Sequence, residues 1–339
     1  MTDTNQANVN ATGASSQTTG IDDSRVGQFA GAFQAIGNNV EHVVQGKRPV
    51  IDQSLLCLLA GGHLLIEDVP GVGKTTLAKA LAVSVGAQLG RVQFTPDLLP
   101  ADVTGVSIWN RNEATFEFRP GPIFAGIVLA DEINRASPKT QAALLEAMAE
   151  RQVTVDGTTH QLPQPFMVMA TQNPIEQEGT YPLPESQLDR FLMRLSVGYP
   201  ERSDELGILT THAVDGAVDR LTPVVNLNDV MTMAQIASMV TIAPELQGYL
   251  IDIAEASRRH PSVALGMSPR ATLSLQRVAK ARAASLGRTF VTDDDIKVSA
   301  SSVIAHRLLL TPDATIKGHN ADQIVNDILR AIPVPADRV

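Results

Sequence analysis

The chain has 339 residues, of which 44% are hydrophobic, and this length and composition predict about two globular domains. Its 36 acidic side chains outnumber the 27 basic ones, and the net charge of −9 argues against broad, sequence-independent attraction to nucleic acid. The single cysteine, Cys57, excludes an internal disulfide and is interpreted as a buried packing residue, and the seven histidines lack the spacing of zinc ligands.

Residues 1–24 are rich in Ser, Thr, Asn, Gln and Gly and predict a disordered polar tail, because such a segment buries too little apolar surface to offset the entropy of ordering. The tail has neither the basic region nor the apolar stretch of a signal peptide. No run of about 18 apolar residues occurs in the chain, so a membrane-spanning helix is not expected. These features predict a cytoplasmic protein without direct membrane insertion.

Residues 25–205 alternate short apolar runs with helical patterns, which is typical of a parallel sheet between helices. The sequence predicts helices over 74–86 and 138–152. Two further stretches, 103–121 and 151–163, carry a turn between strand-like halves and predict inserted β-hairpins. The predicted strands of the sheet are 63–69, 88–94, 126–132, 165–173 and 191–197.

After about residue 205 the strand signals fade and helical periodicity continues to the C-terminus. We place a domain boundary between residues 205 and 222. Residues 222–339 are therefore predicted to form a second, small all-α domain.

The stretch IEDVPGVGKTT, residues 66–76, lies between a predicted strand and a predicted helix, as a phosphate-binding loop requires. Its glycines would let backbone N–H groups surround phosphates, Lys74 would neutralise the β and γ phosphates, and the Thr75 hydroxyl would bind Mg²⁺. The pattern departs from the rule at Asp68, where glycine is expected, so the site requires this carboxylate to point away from the nucleotide. An ordinary glycine turn before a helix is the alternative. The predicted nucleotide-binding residues are Pro70, Gly71, Val72, Gly73, Lys74, Thr75 and Thr76.

Polar residues follow two other apolar runs of the core. Asp131 would hold Mg²⁺ directly or through water, and Glu132 would orient and polarise the attacking water. Asn173 could hydrogen-bond that water or the γ phosphate. The alternatives are a solvated strand end for the two acids and a turn started by Asn-Pro for Asn173.

Three arginines are candidates for contacts with phosphate. Arg270 lies in the first turn of a helix predicted to start after Ser268, where a positive charge is unfavourable unless an anion is near. An exposed arginine without a partner is the alternative. Arg190 could be an arginine finger that reaches into an adjacent subunit, or it could pair with Asp189. Arg194 is the second candidate finger, and spacing does not choose between them.

Several long motifs together resemble the AAA+ ATPases, and within them the MoxR family. They are EDVPGVGKT, QFTPDLLPADVTG, GPIFAGIVLADEINRASPKTQAALLEAMAERQVTVDG, MATQNPIEQEGTYPLPESQLDRF and SPRA. The resemblance covers almost the whole chain after the tail and implies a P-loop AAA+ α/β core followed by a small all-α lid. It also implies tolerance of an acid at position 68. The implied roles are Lys74 and Thr75 as Walker A, Asp131 and Glu132 as Walker B, Asn173 as sensor 1, Arg190 as the finger and Arg270 as sensor 2.

The resemblance further implies a homo-oligomeric ring, usually hexameric, that uses ATP and Mg²⁺ at subunit interfaces and turns its inserted hairpins to the pore or substrate side. MoxR-type proteins resemble chaperones that mature partner proteins or insert metal into them, often partners with a von Willebrand factor A domain. The leading hypothesis is an ATP-driven remodeller of proteins. A nucleic-acid motor and a switch that binds ATP without hydrolysing it are the alternatives.

Overall fold

The structure is a computed structural model that describes residues 22–174, 179–203, 205–206 and 218–335. The predicted polar tail lies outside the described residues up to position 21. The first helix begins directly after Asp22, whose carboxylate caps it by accepting a hydrogen bond from the N–H of Ser24.

The described residues form the following strands and helices. The strands are β1 (Leu64–Glu67), β2 (Leu89–Gln93), β3 (Gly105–Asn110), β4 (Thr115–Pro120), β5 (Ile127–Asp131), β6 (Gln152–Val155), β7 (Thr158–Gln161), β8 (Met167–Gln172), β9 (Met193–Leu195), β10 (Val263–Leu265) and β11 (Leu309–Leu310). The helices are α1 (Asp23–Glu41), α2 (Arg48–Leu59), α3 (Lys74–Ser84), α4 (Pro100–Thr104), α5 (Pro138–Glu150), α6 (Glu185–Leu188), α7 (Leu227–Met239), α8 (Pro244–Arg259), α9 (Pro269–Ser285), α10 (Asp293–Ile304), α11 (Pro312–Ile316) and α12 (Ala321–Ala331).

Five parallel strands form the central sheet in the order β2-β5-β8-β1-β9, and each lies within one of the five predicted stretches. Both faces of the sheet are buried. In β5, Ile127 and Leu129 pack in one apolar cluster, whereas Val128 and Ala130 pack in the cluster on the opposite face. Burial on both faces explains why these strands are continuous apolar runs. The predicted α/β core is confirmed.

Two antiparallel hairpins are inserted into this core, as predicted. β3 pairs with β4, and β6 pairs with β7. The turn between β6 and β7 contains Asp156 and Gly157, both with positive φ, of 50° and 78°. This conformation is the one that a two-residue hairpin turn of type I′ requires.

From Leu227 onwards the described chain is mainly helical, and the antiparallel ribbon of β10 and β11 is an addition that the sequence did not predict. Helix α9 packs against α7, α10 and the N-terminal helices α1 and α2. These helices share one apolar cluster with a face of the sheet, and Cys57 is buried within it. The boundary between residues 205 and 222 stays a prediction, and residues 207–217 lie outside the described ranges.

The carboxyl ends of the parallel strands meet at one edge of the sheet, where α/β proteins bind their ligands. The loop after β1, the end of β5 and the residue after β8 all lie there. None of the helices in the described ranges is both long and apolar enough to cross a membrane.

Candidate active site

The loop between β1 and α3 has the backbone of a phosphate cradle. Gly71 and Gly73 have φ values of 85° and 88°, a left-handed conformation that residues with a β-carbon rarely adopt. Space around both glycines is open, because a β-carbon built on either would meet no heavy atom within 4 Å. Helix α3 begins at Lys74, and the N–H groups of its first turn have no acceptor within the helix. These N–H groups are therefore available to an anion at the helix N-terminus.

The side chain of Lys74 folds back onto the start of the loop. Its Nζ donates a hydrogen bond to the backbone carbonyl of Asp68 at 2.7 Å. Burial lowers the pKa of Lys74, and the negative charges of Asp68, Asp131 and Glu132 oppose this shift. The ammonium group is thus held beside the acids that were predicted to share its site.

The carboxylate of Asp68 points away from the cradle. It accepts hydrogen bonds from the N–H of Val69 at 2.8 Å, the hydroxyl of Ser196 at 2.8 Å and the N–H of Gly198 at 2.6 Å. Burial acts to raise the pKa of Asp68, but these hydrogen bonds outweigh it and the pKa is lowered. The charge is therefore satisfied by the segment after β9.

A cavity of about 340 Å³ brings most of the predicted site together. We call it the phosphate cavity. Asp68 is absent from its lining, and Val72 lies beside it in a neighbouring cavity. The residues that line the phosphate cavity are Pro70, Gly71, Gly73, Lys74, Thr75, Thr76, Asp131, Glu132 and Asn173.

Asp131 is held by two residues that the sequence analysis missed. Its Oδ1 accepts a hydrogen bond from the hydroxyl of Thr171 at 2.7 Å, and its Oδ2 accepts one from Arg91 at 3.1 Å. The same Thr171 oxygen accepts the N–H of Glu132 at 2.8 Å. One threonine on β8 therefore fixes both acids at the end of β5.

Glu132 has a strained backbone and a tethered side chain. Its φ of 57° is left-handed, which costs a non-glycine residue on the order of 1–3 kcal/mol and recurs at functional sites. Its Oε2 accepts hydrogen bonds from Gln93 at 3.0 Å and Arg135 at 2.9 Å. Gln93 lies on β2, the strand next to β5, and was not singled out from the sequence.

The residues of the phosphate cavity fit a magnesium ion that is bound together with a triphosphate. Mg²⁺ prefers oxygen ligands and is commonly held by one or two protein oxygens plus substrate phosphates. The Thr75 hydroxyl and the Asp131 carboxylate line the same cavity. Across the described ranges, no group of three or more His, Cys, Asp or Glu side chains is placed to hold a metal without such help.

A second cavity of about 250 Å³ adjoins the first and shares three residues of the loop with it. Apolar side chains form much of its wall, which is typical of pockets that bind small organic ligands. We call it the nucleoside cavity, and the sequence analysis did not anticipate it. Its lining residues are Val43, Val44, Gln45, Lys47, Gly71, Val72, Gly73, Thr76 and Pro200.

Arg190 and Arg270 lie together in a third pocket, which no residue of the phosphate loop lines. We call it the arginine pocket, and the single acid in its lining is Asp189. The Arg190 guanidinium donates a hydrogen bond to the carbonyl of Leu145 at 2.6 Å. The structure therefore brings these two predicted residues to each other but not to Lys74. The arginines of the pocket are Arg151, Arg190, Arg270, Arg277 and Arg307.

Asp189 pairs with Arg307 rather than with Arg190. The Nε of Arg307 lies 3.0 Å from Oδ1 of Asp189, at an angle that makes an ion pair without a hydrogen bond. Burial lowers the pKa of Arg307 to about 10, and the charge of Asp189 opposes that shift. The alternative in which Arg190 only balances Asp189 is therefore not what the structure shows.

Arg194, the other candidate finger, is occupied by acids of its own chain. It lies on β9 and pairs with Glu67 of β1 at 3.0 Å and with Asp322 of α12 at 3.5 Å. These contacts favour a role in joining the sheet to α12.

Comparison with known proteins identifies a family and two similar relatives. Residues 63–193 match the family described as ATPase family associated with various cellular activities (AAA), and residues 255–328 match the AAA lid domain. The chain is 51% identical over 306 residues to the uncharacterized protein YeaC of Bacillus subtilis, which covers 89% of this chain and 96% of that protein. It is 38% identical to the chaperone MoxR1 of Mycobacterium tuberculosis, over 87% of this chain and 80% of that protein.

The fold resembles a solved structure as well. The crystal structure of a candidate ATPase from Cytophaga hutchinsonii superposes with a TM-score of 0.87 at 38% sequence identity. The match covers 92% of this chain and 97% of the other. The likeness therefore includes both the sheet and the helical region that follows it.

Proposed function

The chain belongs to the MoxR family of AAA+ ATPases, and from this premise we propose that it couples Mg²⁺-dependent ATP hydrolysis to the remodelling of partner proteins in the cytoplasm. One observation carries the proposal: a single cavity gathers Lys74, Thr75, Asp131, Glu132 and Asn173 from three separate stretches of the sequence. An ordinary glycine turn before a helix would not require this convergence.

Each group in the phosphate cavity has a chemical task in this proposal. The N–H groups of the loop and Lys74 bind the phosphates, and the oxygens of Thr75 and Asp131 hold Mg²⁺. The metal, when bound, neutralises negative charge on the phosphate oxygens. Glu132 orients the water that attacks the terminal phosphorus and accepts its proton.

Asn173 completes the cavity from the strand next to β5. It follows β8, is buried, and lines the same cavity as Glu132. We assign it the task of a second hydrogen-bonding group for the attacking water or the terminal phosphate. Such a group orients the water without itself exchanging a proton.

The separation of the arginine pocket from the phosphate cavity supports a ring. A pocket of five guanidinium groups with one carboxylate attracts a polyanion, yet the chain's own phosphate loop does not line it. We propose that Arg190 and Arg270 contact the nucleotide of the adjacent subunit in a homo-oligomeric ring of six subunits. Head-to-tail interfaces of this kind close into rings.

The β3–β4 hairpin supports contact with a protein client. Its side chains Val106, Ile108, Trp109 and Phe116 are exposed, and Phe116 is 72% accessible. Val106 and Ile108 lie on one face of this hairpin, and Trp109 and Phe116 form an aromatic pair on the other. Exposed apolar side chains on one element are typical of protein interaction sites. We propose a client protein, with a von Willebrand factor A domain as the first class to test, rather than nucleic acid.

The central test measures ATP turnover and Mg-ATP binding in the wild type and in Glu132→Gln. We expect turnover to fall by about 10²–10⁴-fold, the usual contribution of a general base, whereas calorimetry shows binding retained. Glu245→Gln, at the exposed first turn of α8, is the matched control and keeps wild-type turnover. Equal turnover in the wild type and Glu132→Gln would remove the mechanism.

The same variant provides the test for the client. Glu132→Gln holds ATP without hydrolysing it, so a complex with the client should persist and be captured from cell extract in the presence of ATP. Recovery of a protein with a von Willebrand factor A domain supports the proposal. Tight binding to DNA at physiological salt, with turnover stimulated by DNA, would favour the nucleic-acid motor instead.

A further inference from the structure

We propose that Asp68 is a positioning residue that fastens the segment after β9 to the phosphate loop and so holds one wall of the nucleoside cavity. The inference rests on the proposed function, because it concerns how the same site binds ATP. It also gives a structural reason for aspartate, rather than glycine, at position 68 of the phosphate loop.

The first observation is the set of donors around the carboxylate. Asp68 is only 8% exposed, and its Oδ2 accepts both the hydroxyl of Ser196 and the N–H of Gly198. Its Oδ1 accepts the N–H of Val69 within the loop. One side chain thus joins the loop after β1 to the segment after β9, although the two are far apart in sequence.

The second observation is that the same segment is held from its other side. Lys47 donates from Nζ to the carbonyl of Tyr199 at 2.8 Å. Lys47 and Pro200 both line the nucleoside cavity, together with Gly71 and Gly73 of the loop. Residues 196–200 are therefore clamped between Asp68 and Lys47, and their position sets the width of this cavity.

A local turn makes the contact with Asp68 possible. Gly198 has a φ of 66°, and its N–H meets the carboxylate at 2.6 Å. Glycine at position 68, as the motif prescribes, would take this acceptor away from the half-buried N–H of Gly198 and from the hydroxyl of the exposed Ser196. The loop after β1 and the segment after β9 would then lose the hydrogen bonds that join them.

The position of the carboxylate predicts which part of ATP depends on it. The phosphates contact the loop and the first turn of α3, where the carbonyl of Asp68 accepts the hydrogen bond of Lys74 and the carboxylate acts on Lys74 only through its charge. The nucleoside contacts the wall that Asp68 fastens. Loss of the carboxylate should therefore weaken binding of ATP and leave binding of a bare triphosphate nearly unchanged.

The test compares Mg-ATP with magnesium tripolyphosphate by calorimetry in the wild type and in Asp68→Gly, which restores the motif. We expect the Kd for Mg-ATP to rise about 10- to 100-fold, as for loss of hydrogen bonds to a charged group, and the Kd for tripolyphosphate to change less than about twofold. A Kd for Mg-ATP equal to or below that of the wild type would overturn the inference. An equal rise in the Kd for Mg-ATP and for tripolyphosphate would overturn it too, because Asp68 would then support phosphate binding rather than nucleoside binding.

A milder variant keeps the test valid if Asp68→Gly fails to fold. Ser196→Ala removes one of the donors to Asp68 and should raise the Kd for Mg-ATP by about threefold without affecting tripolyphosphate. Unchanged ATP binding in Ser196→Ala would contradict the clamp. If the wild type binds no Mg-ATP, both the proposed function and this inference are wrong. If the wild type binds Mg-ATP tightly and the variants bind it with the same Kd, only the inference is wrong.

Discussion

The two acids at the end of β5 depend on a single hydroxyl group. The Thr171 hydroxyl donates a hydrogen bond to Asp131 and accepts one from the backbone N–H of Glu132. It therefore positions the proposed metal ligand, Asp131, relative to the proposed general base, Glu132. Partners that orient a metal ligand commonly change activity by 10- to 100-fold when removed. We therefore expect the Thr171 hydroxyl to matter for activity, because it orients both acids.

We therefore predict that Thr171→Val lowers kcat for ATP by about 10- to 100-fold, because valine has the shape of threonine but offers neither donor nor acceptor. Thr171→Ser retains the hydroxyl and should keep most of the turnover. Steady-state ATPase assays on both folded variants measure the difference. Equal kcat values for the valine and serine variants would show that the contact has no catalytic importance.

A second residue-scale prediction concerns Asp295, which is fully buried at the first turn of α10. Burial acts to raise its pKa, but hydrogen bonds from Arg288, Thr292 and Arg282 outweigh it, and the pKa is lowered. Its contribution to stability is therefore present above the ordinary aspartate pKa and is lost as pH falls through the lowered value. We expect Asp295→Asn to lower the free energy of unfolding by about 1.5–3 kcal/mol at neutral pH.

Denaturant titration of the wild type and Asp295→Asn at several pH values measures this contribution. The gap between the two proteins should narrow as the pH is taken below the ordinary aspartate range. Asp294→Asn, a change on the same turn of α10, is the matched control. A gap that stays constant down to acid pH would contradict the charged role of Asp295.

Individual site residues could be predicted from the sequence where a polar group directly follows an apolar strand. Asp131, Glu132 and Asn173 were recognised in this way, and the structure places all three on one cavity. Thr171 and Gln93 could not be recognised, because their importance arises only from the order of strands in the sheet. The orientation of Asp68 likewise depends on Ser196 and Gly198, which are distant in sequence.

At the scale of elements, the two inserted hairpins are joined by aromatic rings. Phe118 of β4 stacks on His160 of β7, with ring centroids 3.9 Å apart and an angle of 16° between the ring planes. Phe124 packs against the edges of both rings. The β6–β7 hairpin follows α5, which begins near the acids of the site, so this stack is a physical link from the site to the β3–β4 hairpin.

The single tryptophan of the chain reports on this link. Trp109 lies on β3 against Phe116, with ring centroids 5.1 Å apart. We predict that His160→Ala loosens the β3–β4 hairpin and lowers the fluorescence anisotropy of Trp109, because an aromatic pair contributes about 0.5–1.5 kcal/mol. His160→Phe keeps an aromatic ring at this position and should keep the wild-type value. The same anisotropy in the alanine variant would show that the hairpins move independently.

Elements were predictable from sequence where they are long or repeat a clear pattern. The sheet strands are continuous apolar runs, and the Asp156-Gly157 turn needs positive φ at both positions, which these residue types tolerate. The ribbon of β10 and β11 was missed because its strands have three and two residues, too few for any alternation to be visible.

At the scale of the whole molecule, the helical region is packed onto the core rather than merely tethered to it. Helix α9 contacts α1 and α2, and its apolar residues belong to the cluster that covers one face of the sheet. Arg270 and Arg277 lie on α9, whereas Arg151 and Arg190 come from the α/β core. A shift of the helical region against the core would therefore open or close the arginine pocket.

This arrangement leads to a prediction that separates action within one subunit from action between subunits. Lys74→Ala should abolish nucleotide binding, and Arg190→Ala should abolish turnover while binding is retained. The Arg190→Ala subunit keeps an intact phosphate loop, and the Lys74→Ala subunit keeps an intact Arg190. If Arg190 acts on the neighbour's nucleotide, a complete site forms wherever these two subunits are adjacent in the right order. Equal mixing into rings would then complete about one quarter of the sites.

ATPase assays on the two purified variants, alone and after mixing, measure this recovery. Each variant alone should be inactive, and activity should rise as mixed rings form, toward about one quarter of the wild-type rate per subunit. Mixing Lys74→Ala with Glu132→Gln is the matched control, because Lys74 and Glu132 line the same cavity and each defect disables the chain that carries it. That control should stay inactive, since no subunit then has a complete phosphate cavity. Failure of Lys74→Ala and Arg190→Ala to restore one another would show that Arg190 does not reach an adjacent nucleotide, and the arginine pocket would then need another anion.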